Sequence, residues 1–423
     1  MSLRAGLQQA AGIALAVPEI AADAARCRAC VTLEIRSNVH AGEATAGEAQ
    51  AVETLLLWSG AASGPQIVLS AGSNTWSMVF ARMPAPGYQS LGALRRKVDD
   101  FRIVADELAI AQALPFMERL LERLREALND GACQPPAALD WSGLRHLHGG
   151  YVELGNTVAG ADWAYAETCG AQDSPALLML HTAGADSRQW HGLMSIAAMR
   201  GQWAMHAFDL PGHGRSPLPA GVPNWHWRLT QEDYVRWVIQ YMDAAKLERA
   251  VLLGCSMGSA IGLALLARHP ERFSGAILLE APYRSPGRRS PYLNSPEVDG
   301  GRLAAAWVGS LLSPASPRAS RDHATWIYSQ SAPGVYDGDL AFYSDDFDAR
   351  QHTAAIDTAR TPLWLLTGDY DYSATPDDTR KVAAEVPGAQ FRLLPGLGHF
   401  PMVEDPLRLH GLLAEPLREM AAR

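Results

Sequence analysis

Alternating apolar and polar positions in the first 130 residues predict several short strands. From Val31 the pattern Val-Thr-Leu-Glu-Ile-Arg alternates between the two classes, which is typical of a strand with one buried face. Three similar runs span 54–58, 66–70 and 101–105, with glycine, serine, asparagine and proline between them. With flanking helices, these runs predict a small α+β domain built on one antiparallel sheet over residues 1–130.

A helical pattern follows the last of these strands. The apolar residues that share one face of it are Met117, Leu120, Leu121, Leu124 and Leu128. Pro115 is predicted to be the first residue of this helix, because the first turn does not need the backbone N–H that proline lacks. A short apolar run at 11–17, closed by Pro18, predicts another helix of the same domain rather than a signal peptide.

The pattern changes after a short linker, residues 131–139, which contains Pro135 and Pro136 and has no periodicity. Over residues 140–423, strands and helices alternate, and this implies a mainly parallel sheet covered by helices on both faces. The first two predicted strands are close enough in sequence to form a hairpin. The predicted strands are Tyr151 to Thr157, Trp163 to Glu167, Ala176 to Leu180, Trp203 to Phe208, Ala250 to Leu253, Gly275 to Leu279, Leu363 to Leu366 and Phe391 to Leu394.

Composition and charge narrow the function. A chain of 423 residues exceeds one ordinary compact core, so two domains are expected, and 48% hydrophobic residues provide ample core material. The net charge of −9 argues against nucleic acid or an anionic membrane surface as the partner. No apolar run approaches the roughly 20 residues that span a bilayer, so no membrane span is expected.

The cysteines indicate neither disulfides nor a metal site. Their number, five, is odd, and the C-x-x-C pair of Cys27 and Cys30 has no second pair at zinc spacing. Cys255 is expected to be a small buried residue. Cytoplasm is therefore the expected location.

The strongest chemical signal is G-x-S-x-G, with Ser256 between Gly254 and Gly258. An apolar run precedes it and a helical run follows it, which is the strand, turn and helix setting that holds a nucleophilic serine in a strained and accessible position. A Cβ two residues to either side of Ser256 would collide where the strand and the helix pass closely. A serine hydroxyl also needs a base within hydrogen-bond reach and a group that orients that base.

Four stretches in chain order make residues 140–423 resemble the α/β-hydrolase superfamily of serine hydrolases. They are His181-Thr182-Ala183-Gly184, Phe208-Asp209-Leu210-Pro211-Gly212-His213-Gly214-Arg215-Ser216, the Ser256 turn, and the acid and histidine stretches near the end. The resemblance implies an eight-stranded, mostly parallel sheet with a helical cap, preceded by the small N-terminal domain.

The resemblance also implies a catalytic triad of Ser256, His399 and Asp371. His399 lies on a glycine-rich loop after the last predicted strand, and Asp371 has the family's spacing of two residues after Gly368. Asp369 competes as the acid from the same loop. Some relatives place the acid after the sixth strand, where this chain has Glu280.

The oxyanion of the tetrahedral intermediate requires two converging backbone N–H groups. The resemblance assigns one to Met257, directly after the nucleophile and near a helix N-terminus, and the other to Ala183. Thr182 stands where most relatives have glycine, and its hydroxyl is an additional candidate donor. Asp209 and His213 are expected to shape their turn rather than to catalyse, with Arg215 and Ser216 fixing it.

The long segment between the sixth and seventh predicted strands, Pro282 to Thr361, is expected to be the cap over the site. It is rich in aromatic residues, which predicts a largely apolar pocket. Candidate substrate contacts are Trp225, Trp227, Trp307 and Trp326.

The N-terminal region carries a second resemblance, to sterol-carrier-protein-type domains. The residues that carry it are Trp76, Gly87-Tyr88-Gln89-Ser90-Leu91 and Phe101-Arg102-Ile103-Val104-Ala105-Asp106-Glu107-Leu108. It implies an apolar groove or a surface for homodimer formation, and the alternative is a structural appendage.

The sequence therefore predicts a carboxylesterase-like serine hydrolase that cleaves a largely apolar small-molecule ester through an acyl-enzyme. Lactone, amide or carbon–carbon bond hydrolysis by the same triad stays open, as does a ligand-binding protein without turnover. None of these mechanisms requires a metal or an organic cofactor.

Overall fold

Two separate β-sheets organise the chain in the computed structural model, which describes residues 3–37, 52–61, 63–129, 131, 139–157, 159–171, 173–222 and 227–422. The predicted linker, 131–139, lies mostly outside these residues, as does Trp225. None of the helices in the described part of the chain combines the length and the apolar composition that a bilayer crossing requires.

The N-terminal domain has a four-stranded sheet with helices around it. Its elements are α1 (Leu3–Leu15), α2 (Pro18–Ala24), β1 (Cys30–Arg36), β2 (Val52–Trp58), β3 (Gln66–Gly72), α3 (Ser73–Val79), α4 (Leu91–Lys97), β4 (Arg102–Val104) and α5 (Glu107–Leu128). The strand order is β2-β1-β3-β4. The sheet is mixed and not antiparallel throughout as predicted, because β3 lies beside β1 instead of β2 and therefore runs parallel to β1.

The helix predicted to start at Pro115 begins eight residues earlier, at Glu107. Asp106 is its N-cap, and its carboxylate accepts a hydrogen bond of 2.9 Å from the Ala109 amide. Pro115 lies inside the helix, where a proline typically costs about 3 kcal/mol. Ile110 and Leu114, which precede the proline, are buried and extend the apolar face of α5 toward its N-terminus. This helix packs against α1.

The second domain contains the predicted eight strands. Its elements are β5 (His148–Thr157), β6 (Gly160–Gly170), β7 (Ala176–Leu180), α6 (His191–Met194), α7 (Ala197–Gln202), β8 (Ala204–Asp209), α8 (Gln231–Ala244), β9 (Ala250–Cys255), α9 (Met257–Arg268), β10 (Phe273–Leu279), α10 (Gly300–Leu311), α11 (Arg318–Ser329), α12 (Val335–Leu340), β11 (Leu363–Gly368), α13 (Pro376–Glu385), β12 (Gln390–Leu394), α14 (Pro401–Glu404) and α15 (Pro406–Ala421). The strand order is β12-β11-β10-β9-β7-β8-β6-β5.

This sheet is mostly parallel, as predicted. The strands β5 and β6 form the expected antiparallel hairpin, β6 pairs antiparallel with β8, and the remaining pairs are parallel. Every residue of β9 and β11 is buried, since helices cover both faces of the sheet. β8 and β9 lie on opposite sides of β7, so the chain reverses direction across the sheet and leaves a crevice at the carboxyl ends of β7 and β9.

The segment predicted to be the cap, residues 282–361 and called the cap segment below, packs between the two domains. It contains α10, α11, α12 and a π-helical turn, Ala341–Asp346. Leu303 and Ala306 of α10 belong to the same hydrophobic cluster as the core of the N-terminal domain. The hydrophobic core of the N-terminal domain thus continues into the cap segment, and the predicted domain boundaries stay a prediction.

Candidate active site

The Ser256 turn connects β9 to α9 in a strained backbone conformation. Ser256 has φ 54° and ψ −112°, which non-glycine residues adopt rarely. A Cβ at Gly258 would lie 2.5 Å from the Leu180 carbonyl oxygen, and one at Gly254 would lie 2.6 Å from the Gly258 carbonyl oxygen. Only glycine fits at these two positions, so the turn can hold Ser256 at the crevice between β7 and β9.

The three predicted triad residues meet at this crevice. The Ser256 Oγ lies 2.9 Å from the His399 Nε2, and the His399 Nδ1 lies 2.6 Å from the Asp371 Oδ2. Asp371 follows β11 and His399 follows β12, so residues separated by more than a hundred positions form one hydrogen-bonded chain. All three are buried, with 3–4% of each residue exposed.

The two competing acids occupy different places. The Asp369 carboxylate accepts a 2.8 Å hydrogen bond from the Gly396 amide, whereas His399 Nδ1 hydrogen-bonds to Asp371. Glu280 is fully buried behind Asp371 and accepts a 2.9 Å hydrogen bond from the Gly368 amide. Burial, followed by the charge of Asp371, raises the pKa of Glu280 well above its usual range. This shift favours the protonated form of Glu280 beside Asp371, its hydrogen-bond partner.

Within the described residues, one group has ligand atoms close enough together to hold a metal ion: Glu280, Asp371 and His399. These atoms all lie within 4.8 Å of one another. Both ring nitrogens of His399 are already hydrogen-bonded, to Asp371 and Ser256. The raised pKa of Glu280 further disfavours cation binding by this group, since metal ligands must be deprotonated.

Two backbone amides near Ser256 are available to an oxyanion. Thr182 N–H donates to the Gln189 side chain at 3.1 Å, and Gly184 N–H donates to the Asp339 Oδ2 at 2.7 Å. Among the described residues, the amides of Ala183 and of Met257, the first residue of α9, have no acceptor. The Thr182 hydroxyl contacts Gln189 and Tyr328. The Ala183 and Met257 amides belong to the two residues predicted as the oxyanion hole.

Hydrogen bonds to Asp209 stabilise the turn after β8. Its carboxylate accepts hydrogen bonds of 2.9 Å from the amides of Ser187 and Arg215 and from the Arg215 side chain. The Ser216 hydroxyl donates to the Asp209 carbonyl oxygen at 2.6 Å. Asp209 thus has the structural position that was expected for it.

His213 instead reaches the cap, through a residue that the sequence analysis missed. Its Nε2 lies 2.6 Å from the Oδ2 of Asp339, a fully buried residue of α12. Asp339 also accepts hydrogen bonds from the Tyr234 hydroxyl at 2.6 Å and from the Gly184 amide. This Asp339 cluster joins the cap to the loop that carries Ala183. No motif marks Asp339 in the sequence, because its partners lie more than a hundred residues away.

Asp339→Asn is expected to lower the free energy of unfolding by about 3 kcal/mol, because removing one member of a buried ion pair leaves its partners uncompensated. Asp339 raises the pKa of His213 above its usual value, although burial opposes this, and His213 lowers the pKa of Asp339. The stability from His213 is thus present below about pH 6.5 and is lost as pH rises through its folded pKa, whereas that from Asp339 is lost only in acid.

Denaturant unfolding at pH 6 and pH 9 checks this expectation. The difference between wild type and Asp339→Asn should be larger at pH 6. Asp345→Asn is the matched control, since Asp345 pairs with Arg289 in an exposed position of the same cap and should change stability by less than about 1 kcal/mol. Equal effects of the two variants would contradict the buried role of Asp339.

The tryptophans predicted as substrate contacts lie in different environments. Trp307 lines the cavity above Ser256. Trp227 does not, because its ring packs against Gly212 and Gly338 in the core. Trp326 also lies elsewhere: it is 50% exposed, with the Arg188 guanidinium over its ring. Trp225 lies outside the described residues.

The cavity above Ser256 measures about 630 Å³ and is bounded by Ser256, His399, the cap and the N-terminal domain. Five tyrosines contribute to its wall: Tyr292, Tyr328, Tyr336, Tyr343 and Tyr372. Tyr343 lies beside the Ser256 and Ser285 hydroxyls, yet within the described residues its own buried hydroxyl has no hydrogen bond of normal geometry. Burial raises the pKa of Tyr343 to about 12, so it faces the cavity as a neutral donor. No sequence signal distinguished Tyr343 from the other aromatic residues of the cap.

Known proteins resemble the second domain. A family model of the alpha/beta hydrolase fold matches residues 175–406. An uncharacterized carboxylesterase of Bacillus subtilis is 24% identical over 245 residues, 56% of this chain and 77% of that protein. Carboxylesterase YbfK of the same species is 23% identical over 246 residues, 56% of this chain and 78% of that protein. The crystal structure of a hydrolase from Pseudomonas aeruginosa has a TM-score of 0.53 at 22% identity, covering 63% of this chain and 97% of that one.

These matches concern the second domain and support ester hydrolysis at the level of the family. The resemblance of residues 1–130 to a sterol-carrier domain stays a prediction, as do a homodimer and a cytoplasmic location. The family match spans more than half of the chain, and the eight strands have the order that the fold requires. This protein belongs to the α/β-hydrolase fold family.

Proposed function

We propose that this protein is a serine hydrolase that cleaves a carboxylic ester of a largely apolar small molecule through an acyl-enzyme. The observation that carries the proposal is the continuous hydrogen-bonded chain from Asp371 through His399 to the Ser256 hydroxyl. The strained turn and the two free amides beside it support the same chemistry. An ester is preferred as the substrate because two relatives are carboxylesterases by name.

In the first half of the reaction, Ser256 Oγ attacks the ester carbonyl carbon while His399 Nε2 takes the hydroxyl proton. Asp371 holds the ring with Nδ1 protonated and stabilises the imidazolium that forms. The carbonyl oxygen becomes an oxyanion between the Ala183 and Met257 amides, and the positive end of α9 favours its charge. His399 then gives the proton to the departing alkoxide, which leaves as the alcohol.

In the second half, water replaces the alcohol. His399 removes a proton from water, whose oxygen attacks the acyl carbon, and the same two amides stabilise the second oxyanion. Collapse of this intermediate breaks the bond to Ser256 Oγ, which recovers its proton from His399. The carboxylic acid is the second product. Every proton in this cycle passes through His399, so no other group has to act as acid or base.

The substrate's apolar part has a matching lining. Apolar side chains border the cavity that contains Ser256 and His399, namely Trp307, Leu311, Leu340 and Phe400. Burying apolar surface there would contribute roughly 25 cal/mol per Å². The cavity volume of about 630 Å³ is in the range of small-molecule sites.

Labelling with a fluorophosphonate tests the proposed nucleophile. The reagent phosphonylates a serine that an adjacent base activates, so peptide mapping is expected to find one adduct, on Ser256. Protein unfolded in denaturant before treatment should not react, because the strained turn and His399 are then lost. An adduct on a different residue of the folded protein, or no adduct, would refute the assignment.

A further inference from the structure

The N-terminal domain reaches the active-site cavity through α4. Gly92 of this helix packs so closely that a Cβ there would lie 2.8 Å from the Ser310 hydroxyl of α10. The Ser90 hydroxyl, the N-cap of α4, donates to the Ser310 carbonyl oxygen at 2.7 Å. Gln89 donates to the Tyr370 carbonyl oxygen at 3.0 Å, one residue before Asp371. The position of α4 is therefore fixed relative to both the cap and the acid loop.

This arrangement places Arg96 at the mouth of the cavity, beside Arg288 of the cap. Arg96 donates to the Gly287 carbonyl oxygen at 3.3 Å, and both arginines line the cavity that contains Ser256 and His399. Partial loss of solvent, followed by the charge of Arg288, lowers the pKa of Arg96 to about 10. The Arg96 guanidinium thus remains charged at neutral pH and is repelled by that of Arg288.

Among the described residues, no carboxylate forms an ion pair with Arg96 or Arg288. The arginine next to each of them in sequence does form one. Arg95 pairs with Glu107 at 3.2 Å, and Arg289 pairs with Asp337 at 2.9 Å. The remaining acid of the cavity wall, Glu118, is partly buried and accepts hydrogen bonds of 3.0 Å from the Leu91 and Gly92 amides, and loss of solvent raises its pKa to about 7. The two arginines therefore form a net positive patch, the Arg96–Arg288 pair.

Arg288 also has unused hydrogen-bonding capacity. Its Nη2 donates to the Ser373 carbonyl oxygen, but its buried Nε has no hydrogen-bond partner among the described residues. An unpaired buried N–H of a charged group is costly, so a ligand atom that accepts from it would be favoured. A guanidinium offers two parallel donors to a carboxylate or a phosphate.

The route from this pair to the nucleophile runs along Tyr343. The Tyr343 hydroxyl lies beside Ser256, and its ring is close enough to Arg288 to feel that charge. An ester whose carbonyl carbon is at Ser256 can therefore extend past Tyr343 toward the mouth. Its far end would meet one arginine from each domain.

We propose that the preferred substrate is an ester whose distal end carries an anionic oxygen group, a carboxylate or a phosphate, bound by Arg96 of the N-terminal domain and Arg288 of the cap. This inference rests on the proposed esterase function and names its substrate class. It also gives the N-terminal domain a role in substrate selection. The apolar lining then binds the chain between the ester and the anion.

The test compares p-nitrophenyl esters of one acyl length that end in a methyl, a carboxylate or a phosphonate group, over a series of lengths. At the best length, kcat/KM for one of the anionic esters is expected to exceed that for the methyl ester by at least about tenfold, mainly through KM. The preference should fall as salt is added, because partly exposed charges are screened. Which anion is preferred distinguishes the carboxylate from the phosphate.

Variants assign this preference to the Arg96–Arg288 pair. Arg96→Gln and Arg288→Gln are each expected to reduce the ratio of kcat/KM between anionic and methyl esters about tenfold, and Arg288→Lys should retain more of it than Arg288→Gln. Lys97→Gln is the matched control: Lys97 is an exposed cation of the same helix that does not line this cavity, so its loss should leave the ratio unchanged.

Two results would overturn the inference: methyl esters that are hydrolysed as well as the anionic ones at every length, or a Lys97→Gln effect equal to that of Arg96→Gln. Either result leaves the proposed function intact, since ester hydrolysis continues. If no ester is hydrolysed and the fluorophosphonate does not label Ser256, the proposed function fails and the substrate class fails with it.

Discussion

Ser256→Ala is expected to lower kcat for ester hydrolysis on the order of 10⁶-fold, because it removes the atom that forms the acyl-enzyme. His399 keeps its bond to Asp371 in this variant, so the cavity retains its shape. A residual acceleration of about 10³–10⁴ over water is expected from the Ala183 and Met257 amides and from substrate binding. The measurement is kcat on a p-nitrophenyl ester, with an active-site titration to exclude traces of wild type.

Ser259→Ala is the matched control for the first prediction. Ser259 is a buried serine of the same turn region, three residues further along, and its hydroxyl donates to the Leu279 carbonyl oxygen at 2.6 Å. Its loss should cost about 1 kcal/mol of stability while most of kcat remains. A Ser256→Ala enzyme that keeps kcat within tenfold of wild type would show that a different group attacks the substrate.

Asp371→Asn is expected to lower kcat about 10⁴-fold. The asparagine amide can donate to His399 Nδ1, which would place the ring proton on Nε2 and leave no acceptor for the Ser256 proton. The shape of the site changes little, because the two side chains have nearly the same volume. The loss should therefore appear in kcat, with KM and the unfolding midpoint close to wild type.

Two further variants separate Asp371 from its competitors. Asp369→Asn should keep most of kcat, because an amide oxygen can still accept from the Gly396 amide. Glu280→Gln should cost far less than Asp371→Asn, because His399 Nδ1 hydrogen-bonds to Asp371 and, among the described residues, not to Glu280. If Glu280→Gln instead lost 10⁴-fold and Asp371→Asn lost less than tenfold, the acid would belong after β10 and the present assignment would be wrong.

The strands of the second domain could be predicted closely because parallel strands are buried on both faces and appear as continuous apolar runs. Ala176–Leu180 has the predicted bounds, and β9 and β11 extend the prediction by two residues each. The N-terminal domain was harder. Its strand pairs depend on which neighbours meet, and alternation alone does not encode that, so the parallel pair of β1 and β3 was missed.

The start of α5 was missed for a related reason. Proline is favoured in a first helical turn, and this local preference placed the start at Pro115. The Asp106 cap and the apolar contacts of Ile110 and Leu114 outweigh it. Tertiary packing decides helix bounds whenever the buried face extends beyond a local breaker.

The sequence by itself predicted the α/β-hydrolase fold, the strand order along the chain and the candidate triad of Ser256, Asp371 and His399, because each belongs to a local motif at a strand end. Only the tertiary structure decided which residues share the cavity. Asp339 meets His213, and Arg96 of the N-terminal domain lies beside Arg288, across separations of more than a hundred residues. Such contacts follow from how whole elements pack, and no local spacing or periodicity in the chain records them.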